Sequence, residues 1–397
     1  MFQIFEHDVV SMTKLANFNV STLKETSKKE TMATIQEVTR VLENLAPLRY
    51  QESYDNAGLQ TGNAQDQVTG VLLALDCTEE VIEEALAKGC NLIVAHHPVI
   101  FKGLKQLTGR NYVERTIIKA IQNNVAIYAS HTNLDNVLYG VNTKIADKLN
   151  LQHQRILVNK PQTLMQLVTF VPVENTEQVL QALHQAGAGN IGEYSNCSFQ
   201  VEGTGRFSPS DKANPTIGKS GKHEQVQENR VELIFPAYLQ HNIMAALKKA
   251  HPYEEVAHCL YALENTNQEV GIGMIGDLSE NMTETDFLQY LKEKMQLQVI
   301  KYTPLSSNSI KKVAVCGGAG SFLIKDAMRQ GADALVTGDI KYHEFFDAEG
   351  QLLIADIGHY ESEVYTKEIF YELISKNFAN FAVYLSEVNT NPIRYTF

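Results

Sequence analysis

The chain contains no tryptophan, and its five cysteines, Cys77, Cys90, Cys197, Cys259 and Cys316, are scattered without a Cys-x-x-Cys pair. Such spacing argues against a disulfide frame and for reduced thiols serving as small core residues in a cytoplasmic protein. Long apolar runs are also missing. Nothing approaches the roughly 20 residues that span a bilayer, and no apolar signal core stands at the N-terminus. Positive charge is in deficit: 34 Lys and Arg stand against 46 Asp and Glu, for a formal net charge of -12. The field of such a molecule opposes a phosphate backbone, so nucleic acid is a poor general partner. No Walker-type Gly-x-x-x-x-Gly-Lys-Ser/Thr loop is present; Gly317-Gly318-Ala319-Gly320 is a weak phosphate cradle, explained equally well as a turn in a sheet.

What is present is an ordinary soluble composition, 44% hydrophobic over 397 residues, enough for two or three domains. Residues 1–31 are mixed in character and read as an N-terminal extension. From Thr34 the apolar residues Ile35, Val38, Val41, Leu42 and Leu45 recur at helical spacing. Short apolar runs then alternate with helical segments: Val71 to Leu75, Leu92 to Ala95 and Val125 to Ala129 read as buried strands of an α/β layer with largely parallel sheets. The rhythm changes after about residue 160. Leu164 to Pro172, Thr176 to Gly187, Arg230 to Phe235, Leu239 to Ala250 and Val256 to Leu263 give a β-α-β-β-α-β order, the ferredoxin-like α+β signature, with 203–229 as a hairpin carrying a long loop. Past Gly271 the first rhythm returns. The expected organisation is therefore a discontinuous α/β domain, 32–160 and 268–397, interrupted by an inserted ferredoxin-like domain, 161–267.

Three of the apolar runs end in residues that bind metals. His96-His97-Pro98 follows Leu92 to Ala95, His131 and Asp135 follow Val125 to Ala129, and His359 with Glu363 follows Leu352 to Ala355. Taken singly, each has a plain explanation: one buried and one exposed histidine, a helix cap, or an unrelated pair on a helix. Adjacent strand residues point to opposite faces, so joint use of His96 and His97 requires a turn, which Pro98 favours. His359 and Glu363 are four apart and share a helical face, whereas Glu361 points elsewhere. Recurrence at three strand ends, where open α/β sheets bind ligands, is what the plain explanations do not predict. The set is too large for one closed tetrahedral zinc and suits two ions sharing a carboxylate; its mixed nitrogen and oxygen donors fit zinc first, then manganese or iron.

The segments Tyr54-Asp55-Asn56-Ala57-Gly58-Leu59, Ala95-His96-His97-Pro98, Ser130 to Asp135, Thr337 to His343 and Gly358 to Glu363 resemble the Nif-three-like family of dinuclear-metal proteins, known as GTP cyclohydrolase 1 type 2 homologues. The resemblance runs from Met32 to the end, with Tyr54 where that family more often has Trp. It implies five metal ligands, His96, His97, Asp135, His359 and Glu363, and two divalent ions per chain. It also implies a PII-like or CutA-like insert, of which Ala250 to Glu255 carries the likeness, and assembly into a homohexamer. His251 and Glu254 are read as turn residues and stay outside the metal set. His131, Asp339 and His343 are candidates to orient ligands or move protons; for His343 a position in the cleft wall serves equally well. Such a site suits hydrolysis of a nucleotide or phosphoester-type small molecule, the family label implying opening of the guanine ring of GTP. The alternatives are a non-catalytic regulatory assembly, in which the insert senses a small-molecule effector, and metal storage.

Overall fold

The computed structural model describes residues 32–306 and 308–396; the expected N-terminal extension lies outside the described residues. The first helix, Ile35–Leu45, forms for local reasons. Thr34 caps it by accepting from Glu37 N, while the Glu37 carboxylate accepts from Thr34 N, and Ile35, Val38 and Leu42 form the buried stripe.

Two sheets flank a central helical layer. The first runs in the order Gly58–Thr61, Ala126–Ala129, Leu92–Ala95, Gly70–Ala74, Ala382–Leu385; it is parallel except for the antiparallel first strand. Its central strands are buried on both faces, as their continuous apolar runs require. The second sheet has the order Lys301–Tyr302, Leu353–Asp356, Ala334–Gly338, Ser309–Ala319, Gly271–Thr283, Gln152–Asn159. Only its three middle strands are mutually parallel, so this sheet is mixed. One apolar core, from Leu42, Leu73 and Val94 through Ile145 and Phe370 to Phe287, Val315 and Val336, joins the two halves of the chain.

Between Asn159 and Gly271, which pair as neighbours at the sheet edge, the chain leaves to build a third sheet. Its order is Phe199–Phe207, Glu224–Pro236, Leu164–Pro172, His258–Leu263, antiparallel throughout. Helices Thr176–Gln185 and Gln240–Ala250 cover one face through Val179, Leu183, Ile243 and Leu247. This is the ferredoxin-like arrangement. Strand pairing extends from Phe199–Glu232 to Phe207–Glu224, so the segment expected as a long loop shrinks to 208–223. Its flanking strands are polar on a solvent-facing side, which is why they read as loop. The helical segment opening at His359 is two helices, His359–Glu363 and Thr366–Asn377.

Candidate metal centre

All three ligand-bearing strand ends open on one cleft between the two sheets. After Ala95 the backbone turns, with His96 N and His97 N both donating to Leu75 O, at 3.1 and 3.0 Å. That turn releases the strict alternation of a strand and lets both rings enter the cleft. Asp135 ends the short helix Thr132–Asp135, whose entry is locked by Asn133: its Oδ1 accepts from His131 N and its Nδ2 donates to Ala46 O. His359 and Glu363 project from one face of their short helix.

The five predicted ligands converge. Glu363 is at the centre, only 3% exposed, and uses its two oxygens on two sides. Oε2 lies 2.9 Å from His97 Nε2 and 3.0 Å from His359 Nε2, and those two nitrogens are 3.2 Å apart. Oε1 lies 3.6 Å from His96 Nε2, which is 3.7 Å from Asp135 Oδ1. Donors about 2.0–2.1 Å from an ion in a tetrahedral shell stand about 3.3 Å from one another, so both triads have the spacing of a metal shell. Gly318 makes room: a Cβ there would sit 2.5 Å from Glu363 Oε1, and this residue has φ +61°.

Each histidine is oriented from behind through Nδ1. His97 Nδ1 donates to Asp76 Oδ1 at 2.7 Å, His359 Nδ1 to Asp339 Oδ2 at 2.8 Å, His131 Nδ1 to Asp55 Oδ1 at 2.7 Å, and His96 Nδ1 to Ser130 O at 2.8 Å. Carboxylates and carbonyls accept only, so in the neutral rings every Nε2 presents a lone pair to the cleft. This carboxylate–histidine arrangement is the one that fixes metal-binding imidazoles. Asp339 is held at φ +55°, a conformation few non-glycine residues adopt, to reach His359.

Lone pairs from three imidazoles and oxygens of two carboxylates thus face one another with no donor between them. His96 Nε2 and Asp135 Oδ1 are buried without any hydrogen-bond partner. Without a cation the remedy is protons. Burial opposes a charged His97, but Asp76 and Glu363 outweigh it and lift its pKa to about 10; the same contest, decided by Glu363, lifts His359 to about 9. Burial, aided by the Glu363 charge, pushes Asp135 up to about 8. Glu363 itself is held well below the usual carboxylate range, its burial overcome by the surrounding imidazoles. Protons are an imperfect remedy, since two N–H groups would then oppose each other across 3.2 Å between His97 and His359. A divalent cation would meet the orphaned atoms where protons do not, and the residues fit that group.

The remaining candidates divide. His131 is beside the cluster, its ring 5.4 Å from those of both His96 and His97, and it can join them as a ligand group. Asp339 acts on His359. His343 is exposed, its ring against Tyr342 and Phe346, and no hydrogen bond or ion pair among the described residues joins it to the cluster. Glu361 points away, accepting from Asn391 Nδ2. His251 is a neutral turn residue: Nε2 donates to Phe170 O, Nδ1 accepts from Tyr253 N, and burial lowers its pKa. The glycines at 317–318 offer no phosphate cradle, because Gly317 N donates to Asn142 Oδ1 and Gly318 N to Ser362 Oγ. Sequence reasoning missed Asp55, Asp76 and Thr390, whose hydroxyl donates to Asp76 Oδ2 at 2.6 Å. Asp76 carried the usable signal, ending the apolar run from Val71 as the histidines end theirs.

Fold and site together define a class: a mixed α/β protein with a ferredoxin-like insert and a buried histidine–carboxylate cluster that could hold metal. Residues 33–392 match the Duf34/NIF3 (NGG1p interacting factor 3) family, and the chain belongs to it. It is 39% identical over 365 residues to a Bacillus subtilis (strain 168) protein named GTP cyclohydrolase 1 type 2 homolog, covering 91% of this chain and 98% of that one. Among solved structures, a Bacillus cereus protein related to NIF3 superposes with a TM-score of 0.81 at 38% identity, covering 92% and 100% of the two chains. A Staphylococcus aureus protein does so with 0.73 at 31% identity, covering 92% and 99%.

Proposed function

We propose that the chain binds two divalent ions, zinc foremost with manganese or iron as alternatives, and is a metal-dependent hydrolase of nucleotides or related phosphoester-type small molecules. The observation that carries the metal reading is the pair of orphaned atoms, His96 Nε2 and Asp135 Oδ1, facing an ionised Glu363. The ions would hold to His96, Asp135 and Glu363 Oε1 on one side and to His97, His359 and Glu363 Oε2 on the other. When bound they supply Lewis-acid chemistry, activating water and stabilising an oxyanion. His131, held at Nδ1 by Asp55, keeps Nε2 available to take or give a proton at the cleft. Asp76 and Asp339 keep the rings of His97 and His359 aimed.

The cleft mouth supports an anionic, aromatic substrate. Phe101 lies with its ring 6.2 Å from that of His131 and 6.3 Å from that of Tyr54, and both Phe101 and Tyr54 are exposed. The loop after Phe101 carries Lys102, Lys105 and Arg110, for which no ion pair occurs among the described residues. Rings that stack a base beside unpaired cations suit a nucleotide. The name carried by the Bacillus subtilis relative agrees with that class.

A regulatory assembly is the second reading, favoured by the bare sheet face of the insert, where Phe199, Val201 and Tyr261 are all at least half exposed. We place that face and the family's homohexameric assembly together as the proposed self-association, in the cytoplasm; among the described residues no helix is long and apolar enough to cross a membrane. Metal-loaded protein assayed on GTP and a phosphoester panel, beside Asp135→Ala, separates the readings. Turnover lost in the variant supports the hydrolase. Full metal occupancy with no turnover favours the assembly.

A further inference from the structure

The insert holds a cavity of about 850 Å³ on the face of its sheet that the helices leave open. That is the volume range of small-molecule sites. The segment 208–223 is tied across it: Asn214 N donates to Glu254 Oε1 at 3.0 Å and Thr216 Oγ1 to Pro252 O at 2.7 Å. Phe170, Phe207, Tyr253, Pro215 and Ile217 supply apolar and aromatic walls. The rings of Phe207 and Tyr253 stand 5.9 Å apart.

Glu228 forms the floor. It sits in the middle of a strand, only 8% exposed, yet among the described residues its side chain's one hydrogen bond is from Tyr253 Oη to Oε1, at 2.8 Å. No cation pairs with it among the described residues. Arg230, on the same face, turns its Nε to Glu232 Oε1 at 2.8 Å. Arg206 also borders the cavity, but it alternates with Gly205 and Phe207 along its strand, is exposed, and makes no ion pair with Glu228 among the described residues. The carboxylate rests over Gly205 in space that any Cβ would fill, so the neighbouring strand is shaped to keep the charge where it is. A carboxylate taken out of water without a counter-charge is costly. An apolar, ring-lined pocket ending in such a group is complementary to a cation with an apolar body.

We propose that this cavity is a binding site for a small organic cation, a primary ammonium or guanidinium on an aryl or alkyl body, with Glu228 as the counter-charge and Phe207 and Tyr253 as the ring walls. The site is separate from the metal centre and does not rest on it. The test is calorimetric titration of the full chain with tyramine and agmatine, beside tyrosol, the neutral counterpart of tyramine. The expected result is saturable binding of both cations with Kd below about 1 mM and tyrosol weaker by about tenfold or more. Glu228→Gln should weaken the cations by about 30-fold or more, the loss expected when a buried charge partner is removed. Tyr253→Phe, which keeps the ring and frees Oε1, should retain the preference for tyramine over tyrosol. The proposal is overturned if neither cation binds at about 10 mM, if tyrosol binds as tyramine does, or if folded Glu228→Gln binds as wild type.

Discussion

Asp135→Asn should act with opposite signs on metal binding and on the metal-free fold. The carboxylate is buried, its Oδ1 has no partner, and burial with the Glu363 charge raises its pKa from an ordinary 3.8 to about 8. A folded pKa raised above the unfolded one means that the metal-free fold loses stability as pH climbs from about 3.8 to about 8, with the full cost present above that. At pH 7 the folded group must take up a proton that the unfolded chain has released, a cost of about 4 kcal/mol at 1.36 kcal/mol per pKa unit. Asparagine removes that cost but buries an amide with imperfect partners, which returns about 1–3 kcal/mol. The expected gain is about 1–3 kcal/mol for the metal-free variant at pH 7, reversing to a loss of about 1–2 kcal/mol near pH 4, where the aspartic acid no longer carries its protonation cost and the amide penalty remains. Urea melts in chelator at pH 4.5, 7 and 8 read the pH trend, and elemental analysis after dialysis reads the metal. A variant that keeps its full metal complement, or whose metal-free form is less stable than wild type at pH 8, refutes the reasoning.

Asp76→Asn and Asp339→Asn each remove an Nδ1 acceptor without touching a ligand, and should weaken metal binding about 10–100-fold with the far-ultraviolet spectrum unchanged; a chelator competition checks this. Metal uptake should release protons: with His97, His359 and Asp135 at about 10, 9 and 8, all three are protonated at pH 7 in the metal-free protein, so affinity should rise with pH until about 10. Titrations in buffers of different ionisation enthalpy count those protons, and a pH-independent affinity would contradict the assignment. The double variant Lys102→Ala, Lys105→Ala should leave metal content intact and raise KM for an anionic substrate about tenfold or more, with a steeper loss at low salt. Gly318→Ala should cost metal, because its Cβ would crowd Glu363 Oε1.

Much of the site was legible because its chemistry is written at strand ends. A buried strand reads as a short apolar run, and a ligand-type residue just beyond it is at the sheet edge by necessity, as His96, His97 and Asp135 are. What could not be read was which groups stand behind them. Asp55 comes from before the first strand of its sheet, and Thr390 from after the last, brought to Asp76 across 314 residues of sequence. Contacts of that range depend on the assembled core and leave no periodicity. The strands around the 208–223 loop escaped for a different reason: Phe199–Phe207 buries almost nothing, so the alternation that marks a strand is absent. Glu228 was hidden inside the same stretch, its depth created only by Tyr253 and the loop folded over it.

The central claim is that Glu363 bridges two cations. Anomalous diffraction from crystals of the purified protein at the edge of its bound metal tests it most directly. The account predicts two peaks about 3.5–4 Å apart, one beside His96 and Asp135 and one beside His97 and His359, each against a different oxygen of Glu363. A single peak shared by all five side chains, or ordered water alone between them after growth in zinc, would contradict it.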